Sequence, residues 1–315
     1  MKLSLVVPCY NEEENVGLFY DEAYKVFEKH NYKLEIVFVN DGSRDNSRSE
    51  LERIIDRAQV DIKVVDFSRN FGKEAAMYAG LKNATGDYVA IIDADLQQDP
   101  KYVVEMCEFL DKNASFDCVA MCQEERKEGA LLSFLKGSFY KLINAISQVR
   151  FVSGASDFRV FRRHMVDSIL EVTEYYRFSK GIFSWVGYNT HYMIYEVRER
   201  AHGTTNWSFW KLFKYAVEGI VAFTTTPLRI ATITGIVSAL MSIFYLLFVI
   251  IQKLFFGIII PGYATIVVLI LLLGGLQLFA LGIIGEYLAR TYMEVKKRPI
   301  YIARDILSNK KGKVK

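Results

Sequence analysis

Two stretches of this chain carry no charged residue, Ile230–Gln252 and Leu254–Gly285, with only Lys253 between them. Each exceeds the roughly 20 residues needed to cross a bilayer. No other feature restricts the fold as strongly. A segment in lipid must satisfy its own backbone hydrogen bonds, and a helix does so. Two buried core helices of this length are a poor alternative. Pro261-Gly262 reads as the turn of a helical hairpin. Lys211, Lys214 and Arg229 precede the first run, and Arg290, Lys296, Lys297 and Arg298 follow the second. Basic flanks of this kind place both ends on the cytoplasmic side. Glu286 reads as an end-of-helix residue, and the lysine-rich end from Lys310 as a solvated or lipid-brushing tail.

The first two hundred of the 315 residues have an ordinary soluble composition, so the overall 51% hydrophobic content is unevenly placed. A net charge of +3, with no basic stripe interleaved with aromatics, argues against nucleic acid as a partner. Cys9, Cys107, Cys118 and Cys122 lie in apolar or strand-like runs without histidines at metal spacing, and read as reduced core residues. The apolar run Leu3–Val7 is too short for a signal peptide, and acidic residues follow at once.

Short apolar runs alternate with helical patterns over this region. Leu3–Val7 is ended by Pro8, with Asn11 as N-cap of a helix from about Glu12. Leu34–Val39, Ile62–Phe67, Gly86–Ile92 and Cys118–Met121 follow, each but the last ending in a polar cluster, with a helix of about 100–112 before the fifth. The alternation predicts an α/β fold with a doubly wound, mainly parallel sheet, whose ligands bind at the carboxyl ends of strands. The polar clusters sit there: Pro8–Glu12, Asp41, Arg69–Lys73 and Asp93–Gln97.

The last cluster, Asp93-Ala94-Asp95-Leu96-Gln97, carries chemistry. Residues two apart in extended chain point the same way, so Asp93 and Asp95 can aim both carboxylates at one point, with the Gln97 amide oxygen near. Oxygen donors of this kind suit Mg²⁺ or Mn²⁺ and leave positions open for substrate phosphates. A bare Asp-x-Asp is a weak signal; four clusters on one predicted edge are a stronger one.

Val6–Glu13, Asn40-Asp41-Gly42-Ser43, Arg69–Lys73 and Asp93–Gln97, taken in order, resemble the motifs of family 2 glycosyltransferases. More narrowly they resemble the polyprenyl-phosphate subgroup, which takes in dolichol-phosphate mannose synthase-like and bactoprenol glucosyltransferase-like enzymes. The resemblance covers nearly the whole chain, paired spans included. It implies a GT-A-type fold and inverting transfer from a nucleotide sugar to a lipid phosphate. It implies that Pro8, Tyr10, Glu12 and Asp41 hold base and ribose, that Lys73 and Asp93 lie at the diphosphate, and that Asp93, Asp95 and Gln97 hold the metal. Ser153–Arg159 resembles a second family segment in which the aspartate, here Asp157, is the catalytic base; Asp95 joins it among the catalytic residues. A phosphate monoester is already anionic at neutral pH, so Asp157 could instead orient the acceptor or the metal. Arg200–Trp207 resembles the segment before the membrane, with Arg200 on the acceptor phosphate and Arg126 and Lys136 as further cations for it. Thr205 and Asn206 depart from that pattern, where serine and lysine are frequent. Gln-x-x-Arg-Trp, the mark of processive relatives, is absent, which argues for one transfer per lipid.

The expected organisation is a cytoplasmic catalytic domain at 1–206 with an interfacial helix at about 131–150, an amphipathic helix at 207–228, a transmembrane hairpin at 229–290 and a basic tail at 291–315. Glucose from UDP-glucose to undecaprenyl phosphate at the inner membrane is the expected reaction, making a lipid-linked donor for the cell envelope. UDP-N-acetylglucosamine or GDP-mannose as donor, a longer-glycan or glycolipid synthase, and a non-enzymatic nucleotide-sugar binder supporting a flippase are the alternatives. The resemblance also implies a homo-oligomer, a tetramer.

Overall fold

The computed structural model describes residues 1–123, 141, 143–147, 149–196, 221–256 and 262–309. They form two compact units, one holding the described residues up to Glu196 together with Pro299 onward, the other the described residues from Val221 to Arg298.

In the first unit the chain runs β1 (Lys2–Cys9), α1 (Val16–Phe27), β2 (Lys33–Asn40), α2 (Ser47–Arg57), β3 (Asp61–Phe67), α3 (Lys73–Asn83), β4 (Tyr88–Ile91), α4 (Lys101–Lys112) and β5 (Cys118–Gln123). After these come β6 (Ala155–Arg162), α5 (Arg163–Glu171), α6 (Ser179–Trp185), β7 (Thr190–Tyr195) and, after the second unit, β8 (Ala303–Ser308). The sheet has the order β7-β5-β6-β4-β1-β2-β3-β8. Its centre, β4-β1-β2-β3, is parallel, as the alternating pattern predicts; β6 and β8 enter antiparallel.

Leu3, Leu5, Val6 and Val7 are all fully buried, as a central parallel strand with both faces covered requires. Helix α3 covers one face so closely that every residue from Ala75 to Leu81 is buried. A Cβ on Gly80 would come within 2.1 Å of Val6 Cγ1, so only glycine lets helix and strand meet there.

Three local readings are corrected. Pro8 lies inside β1 rather than ending it. Val6 C=O accepts from Ile92 N–H on the β4 side and Cys9 C=O accepts from Asp41 N–H on the β2 side. Pro8 therefore faces β4 beyond that strand's end, where a missing N–H costs no ladder bond. Asn11 is not a helix cap: α1 starts at Val16 with Asn15 before it, and Asn11 takes φ +54° in a loop. Strand β4 stops at Ile91, so Asp93–Gln97 is turn rather than extended chain. In addition, Ala303–Ser308 pairs with β3 as an edge strand, while the lysine-rich end from Lys310 lies outside the described residues.

The second unit holds α7 (Thr226–Phe256) and α8 (Tyr263–Val295). Both are long and apolar enough to cross a membrane, with mean hydropathy 2.4 over Thr226–Gln252 and Val268–Val295. Gly262 caps the second helix at the predicted hairpin turn. Most of the predicted interfacial helix at 131–150, and all of 207–220, lie outside the described residues.

Candidate active site

The carboxyl ends of β1, β2, β3 and β4 bring Tyr10–Glu12, Asp41–Ser43, Arg69–Lys73 and Asp93–Gln98 to one edge. The first two loops are laced by side chains. Asn11 N–H donates to Ser43 Oγ (3.0 Å), Arg44 N–H to Asn11 Oδ1 (2.9 Å) and Glu12 N–H to Ser47 Oγ (2.8 Å). Glu12 Oε2 accepts from Asn15 Nδ2 at 2.6 Å. Tyr10 stands on the rim, 43% exposed.

Asp41 is buried, and its carboxylate accepts from Phe71 N–H (2.6 Å) and Gly72 N–H (2.9 Å). Burial raises its pKa, and these two bonds and Arg69 only partly offset that. Gly42 at φ +63° lets the loops touch: a Cβ there would fall 2.3 Å from Arg69 C. Asp41 thus holds the 69–72 loop by its backbone.

The turn after β4 keeps its alternation although it is not extended. Ile92, Ala94 and Leu96 are buried, while Asp93, Asp95 and Gln97 are half-buried and face the other way. Leu96 at φ +59° reverses the chain, and Gln97 N–H closes onto Asp95 Oδ1 at 3.1 Å. Gln98, which the sequence did not single out, clamps Asp93: its Oε1 accepts from Asp93 N–H (3.0 Å) and its Nε2 donates to Asp93 Oδ2 (3.2 Å).

Strand β6 completes the cluster. Its antiparallel register ends with the pair Ile91 and Arg159, and Asp157 lies two residues before Arg159 on β6. Lys73, the first residue of α3, reaches both Asp93 and Asp157, with Nζ 2.6 Å from Asp93 Oδ1 and 3.8 Å from Asp157 Oδ2. Desolvation pulls the Lys73 pKa down, but Asp93, Asp157 and Asp95 outweigh it and hold the ammonium above its ordinary value. Burial pushes Asp157 up, yet Lys73, Lys180 and Arg159 overcome it and keep the carboxyl below its usual range. Asp157 is therefore an anion at neutral pH. Its Oδ1 is buried without a hydrogen-bond partner. A simple ion pair with Arg159 or Arg162 does not explain it, because Arg159 bonds to Ser156 C=O and Arg162 to Phe116 and Leu110 C=O.

Glu74 is the second residue missed from the sequence. Its Oε2 accepts from Ser179 N–H at 2.9 Å and from the Ser179 hydroxyl. Burial, and then the charge of Asp157, push its pKa up to about 7. Among the described residues no three or more His, Cys, Asp or Glu side chains come together as a group that could hold a metal ion. Of the predicted site residues, Arg126, Lys136 and Arg200 lie outside the described residues.

The model of the family described as Glycosyl transferase family 2 matches residues 4–170, and that of the GtrB C-terminal hairpin matches residues 226–291. The prophage bactoprenol glucosyl transferase homolog of Escherichia coli K12 is 41% identical over 308 residues, 97% of this chain and 99% of its own length. The putative glycosyltransferase CsbB of Bacillus subtilis 168 is 41% identical over 306 residues, 96% of this chain and 91% of its own. In fold, the chain is similar to glucosyl-3-phosphoglycerate synthase of Mycobacterium tuberculosis, crystallised with Mn²⁺, UDP and phosphoglyceric acid, with TM-score 0.50 and 18% identity over 70% of this chain and 76% of that one. With the motifs, the sheet and the hairpin in agreement, the chain belongs to glycosyl transferase family 2 and is a glycosyltransferase.

Proposed function

We propose that this chain transfers one glucose from UDP-glucose to undecaprenyl phosphate at the cytoplasmic face of the cell membrane, with inversion at the anomeric carbon. The observation that carries the reading is the Lys73–Asp93–Asp157 cluster on the sheet's carboxyl edge. It occurs in a chain that also has two apolar helices and near-full-length similarity to proteins named bactoprenol glucosyl transferase. Lipid-linked glucose made this way would supply modification of a cell-envelope glycan.

Asp93, Asp95 and Gln97 would hold a divalent cation, Mg²⁺ or Mn²⁺. The donor set fits in its chemistry: two carboxylates and an amide oxygen, hard oxygen donors on half-buried residues of one turn. The buried, unpartnered Asp157 Oδ1 beside them also fits a site that a ligand completes. Such an ion supplies charge neutralisation for the departing nucleoside diphosphate.

The chain's own residues do the rest. Pro8, Tyr10 and Glu12 line the rim for base and ribose, and Asp41 sets the 71–72 backbone beneath them. Lys73 steadies Asp93 and presents positive charge to the diphosphate. An acceptor phosphate oxygen forms the new bond to the anomeric carbon as the bond from that carbon to the diphosphate oxygen breaks. The nucleophile is already anionic near neutral pH, so Asp157 orients it and takes a proton only from the monoanion. Arg200, Arg126 and Lys136 would grip the acceptor phosphate.

In this reading residues 1–206 are the catalytic domain and 229–290 the membrane hairpin, with both termini cytoplasmic. The test is transfer of label from radiolabelled UDP-glucose to undecaprenyl phosphate in proteoliposomes. One hexose per lipid, with UDP-N-acetylglucosamine and GDP-mannose inert, is the expected product. Preference for another donor, or a lipid with several sugars, would overturn it.

A further inference from the structure

The stretch that follows the second apolar helix returns to the catalytic sheet at an informative place. Strand β8 pairs with β3 from Lys63 to Phe67, and the contacts continue past the strand's end. Ser68 N–H donates to Ile302 C=O at 3.0 Å, and Arg304 Nη2 donates to Ser68 C=O at 3.3 Å. The Tyr301 ring stacks on Phe67, with centroids 4.9 Å apart and planes at 19°, and meets Tyr78 of α3 edge-on at 6.4 Å. Phe67 in turn packs edge-to-face on Phe71 at 5.6 Å. Phe71 N–H is one of the two donors to Asp41, and Lys73 begins two residues later. Ile300 also lines a cavity of about 310 Å³ together with Arg69, Phe71, Glu74 and Arg177. The 69–73 loop is therefore held by Asp41 from the β2 end, while Tyr301, Ile302 and Arg304 of the post-membrane segment hold Phe67 and Ser68, the residues that lead into it. Arg48, paired with Asp66 at 2.7 Å and Asp305 at 2.8 Å, locks β8 to β3.

We propose that residues 299–309 are a positioning element for the 69–73 loop, with Tyr301 as the positioning residue, so that donor binding depends on chain that lies beyond the membrane hairpin. This rests on the donor reading above only for its functional consequence; the positioning can be tested without ligand.

The experiment uses the full-length protein in detergent. Hydrogen exchange of the Phe71 and Gly72 amides is followed in wild type, Tyr301→Ala, Tyr301→Phe and Arg304→Ala, without ligand. Tyr301→Ala should speed exchange about tenfold at 69–73 while leaving β1 amides protected, Tyr301→Phe should restore it to within about twofold, and Arg304→Ala should give about threefold. UDP binding with Mn²⁺ should weaken in the same order, with the KM for nucleotide sugar rising and the KM for undecaprenyl phosphate unmoved. Unchanged exchange at 69–73 in both alanine variants would overturn the proposal, as would acceleration spread evenly over the sheet. Should Tyr301→Ala fail to fold, Arg304→Ala decides, because that side chain is largely exposed. Localised faster exchange with no UDP binding even in wild type would support the positioning and sink the donor reading instead.

Discussion

The two ends of the parallel strands use buried carboxylates in opposite ways. At the amino end, Glu35 on β2 is 4% exposed and fully engaged. It accepts from the Ser4 hydroxyl, from Thr85 N–H and Oγ1 at 2.8 Å each, and from Lys2 Nζ at 2.9 Å. Burial alone would raise its pKa, and these bonds bring it down to about 2. At the carboxyl end, Asp157 shares one lysine with Asp93 and keeps a buried oxygen without a partner, and Glu74 is pushed up to about 7. The amino end spends Glu35 wholly on the fold; the carboxyl end spends Asp41 on the 71–72 backbone but leaves one oxygen of Asp157 without a partner. Unsatisfied buried polar atoms are rare in native proteins, which is why the Asp157 Oδ1 on this edge is informative.

That contrast breaks most visibly by removing the strand-end acids. Asp93→Ala and Asp95→Ala should each lower turnover by about 10³-fold, the scale of losing a group that stabilises developing charge, while the melting temperature in detergent stays near wild type. A large drop in melting temperature would mean that these residues belong to the fold. Asp157→Asn comes next, with a loss of about 10²-fold in kcat and little change in the KM for UDP-glucose. Stability at neutral pH should fall modestly, since the surroundings hold the Asp157 carboxyl below its usual range and so favour the charge that the variant removes. Glu35→Gln should do the reverse, costing about 2 kcal/mol of stability by denaturant unfolding and leaving the rate per folded molecule unchanged.

The smallest effect separates the two ends by pH. Glu35 has a folded pKa below its unfolded value of 4.5, so the stability it contributes is present above pH 4.5 and is lost as pH falls toward about 2. Glu74 has a folded pKa raised from 4.5 to about 7, so between those values the folded state binds the extra proton and stability declines as pH rises. Asp157 and Arg177 are the charged groups that face it. Melting curves from pH 4.5 to 7 should therefore flatten in Glu74→Gln and keep their slope in Glu35→Gln.

Much of this architecture was legible before any coordinates. The buried runs, the four polar clusters at their ends and the two uncharged runs are local patterns, and hydrophobic period reads them directly. What escaped depends on partners far along the chain. Ala303–Ser308 is a short, charged segment, Ala-Arg-Asp-Ile-Leu-Ser, which becomes a strand only because β3 offers an open edge more than 230 residues earlier. Glu74 looks like any first-turn helix residue until Ser179, 105 residues on, closes over it. Gln98 follows the recognised motif by one place, and its clamp on Asp93 exists only because Leu96 adopts φ +59° and turns the chain back. Asn11 reads locally as a helix cap, but its backbone and side chain cross-link to Ser43 and Arg44 of another loop, which no local pattern shows.

The central claim is that the turn at 93–97 works on a nucleotide sugar while the opposite end of the sheet only holds the fold. Label transfer from UDP-glucose to undecaprenyl phosphate, measured for wild type and Asp95→Ala with Mn²⁺ and again with EDTA, tests it most directly. The account predicts transfer by wild type with Mn²⁺ alone, none after chelation, and none by Asp95→Ala in either condition. Undiminished transfer by Asp95→Ala in EDTA would contradict it.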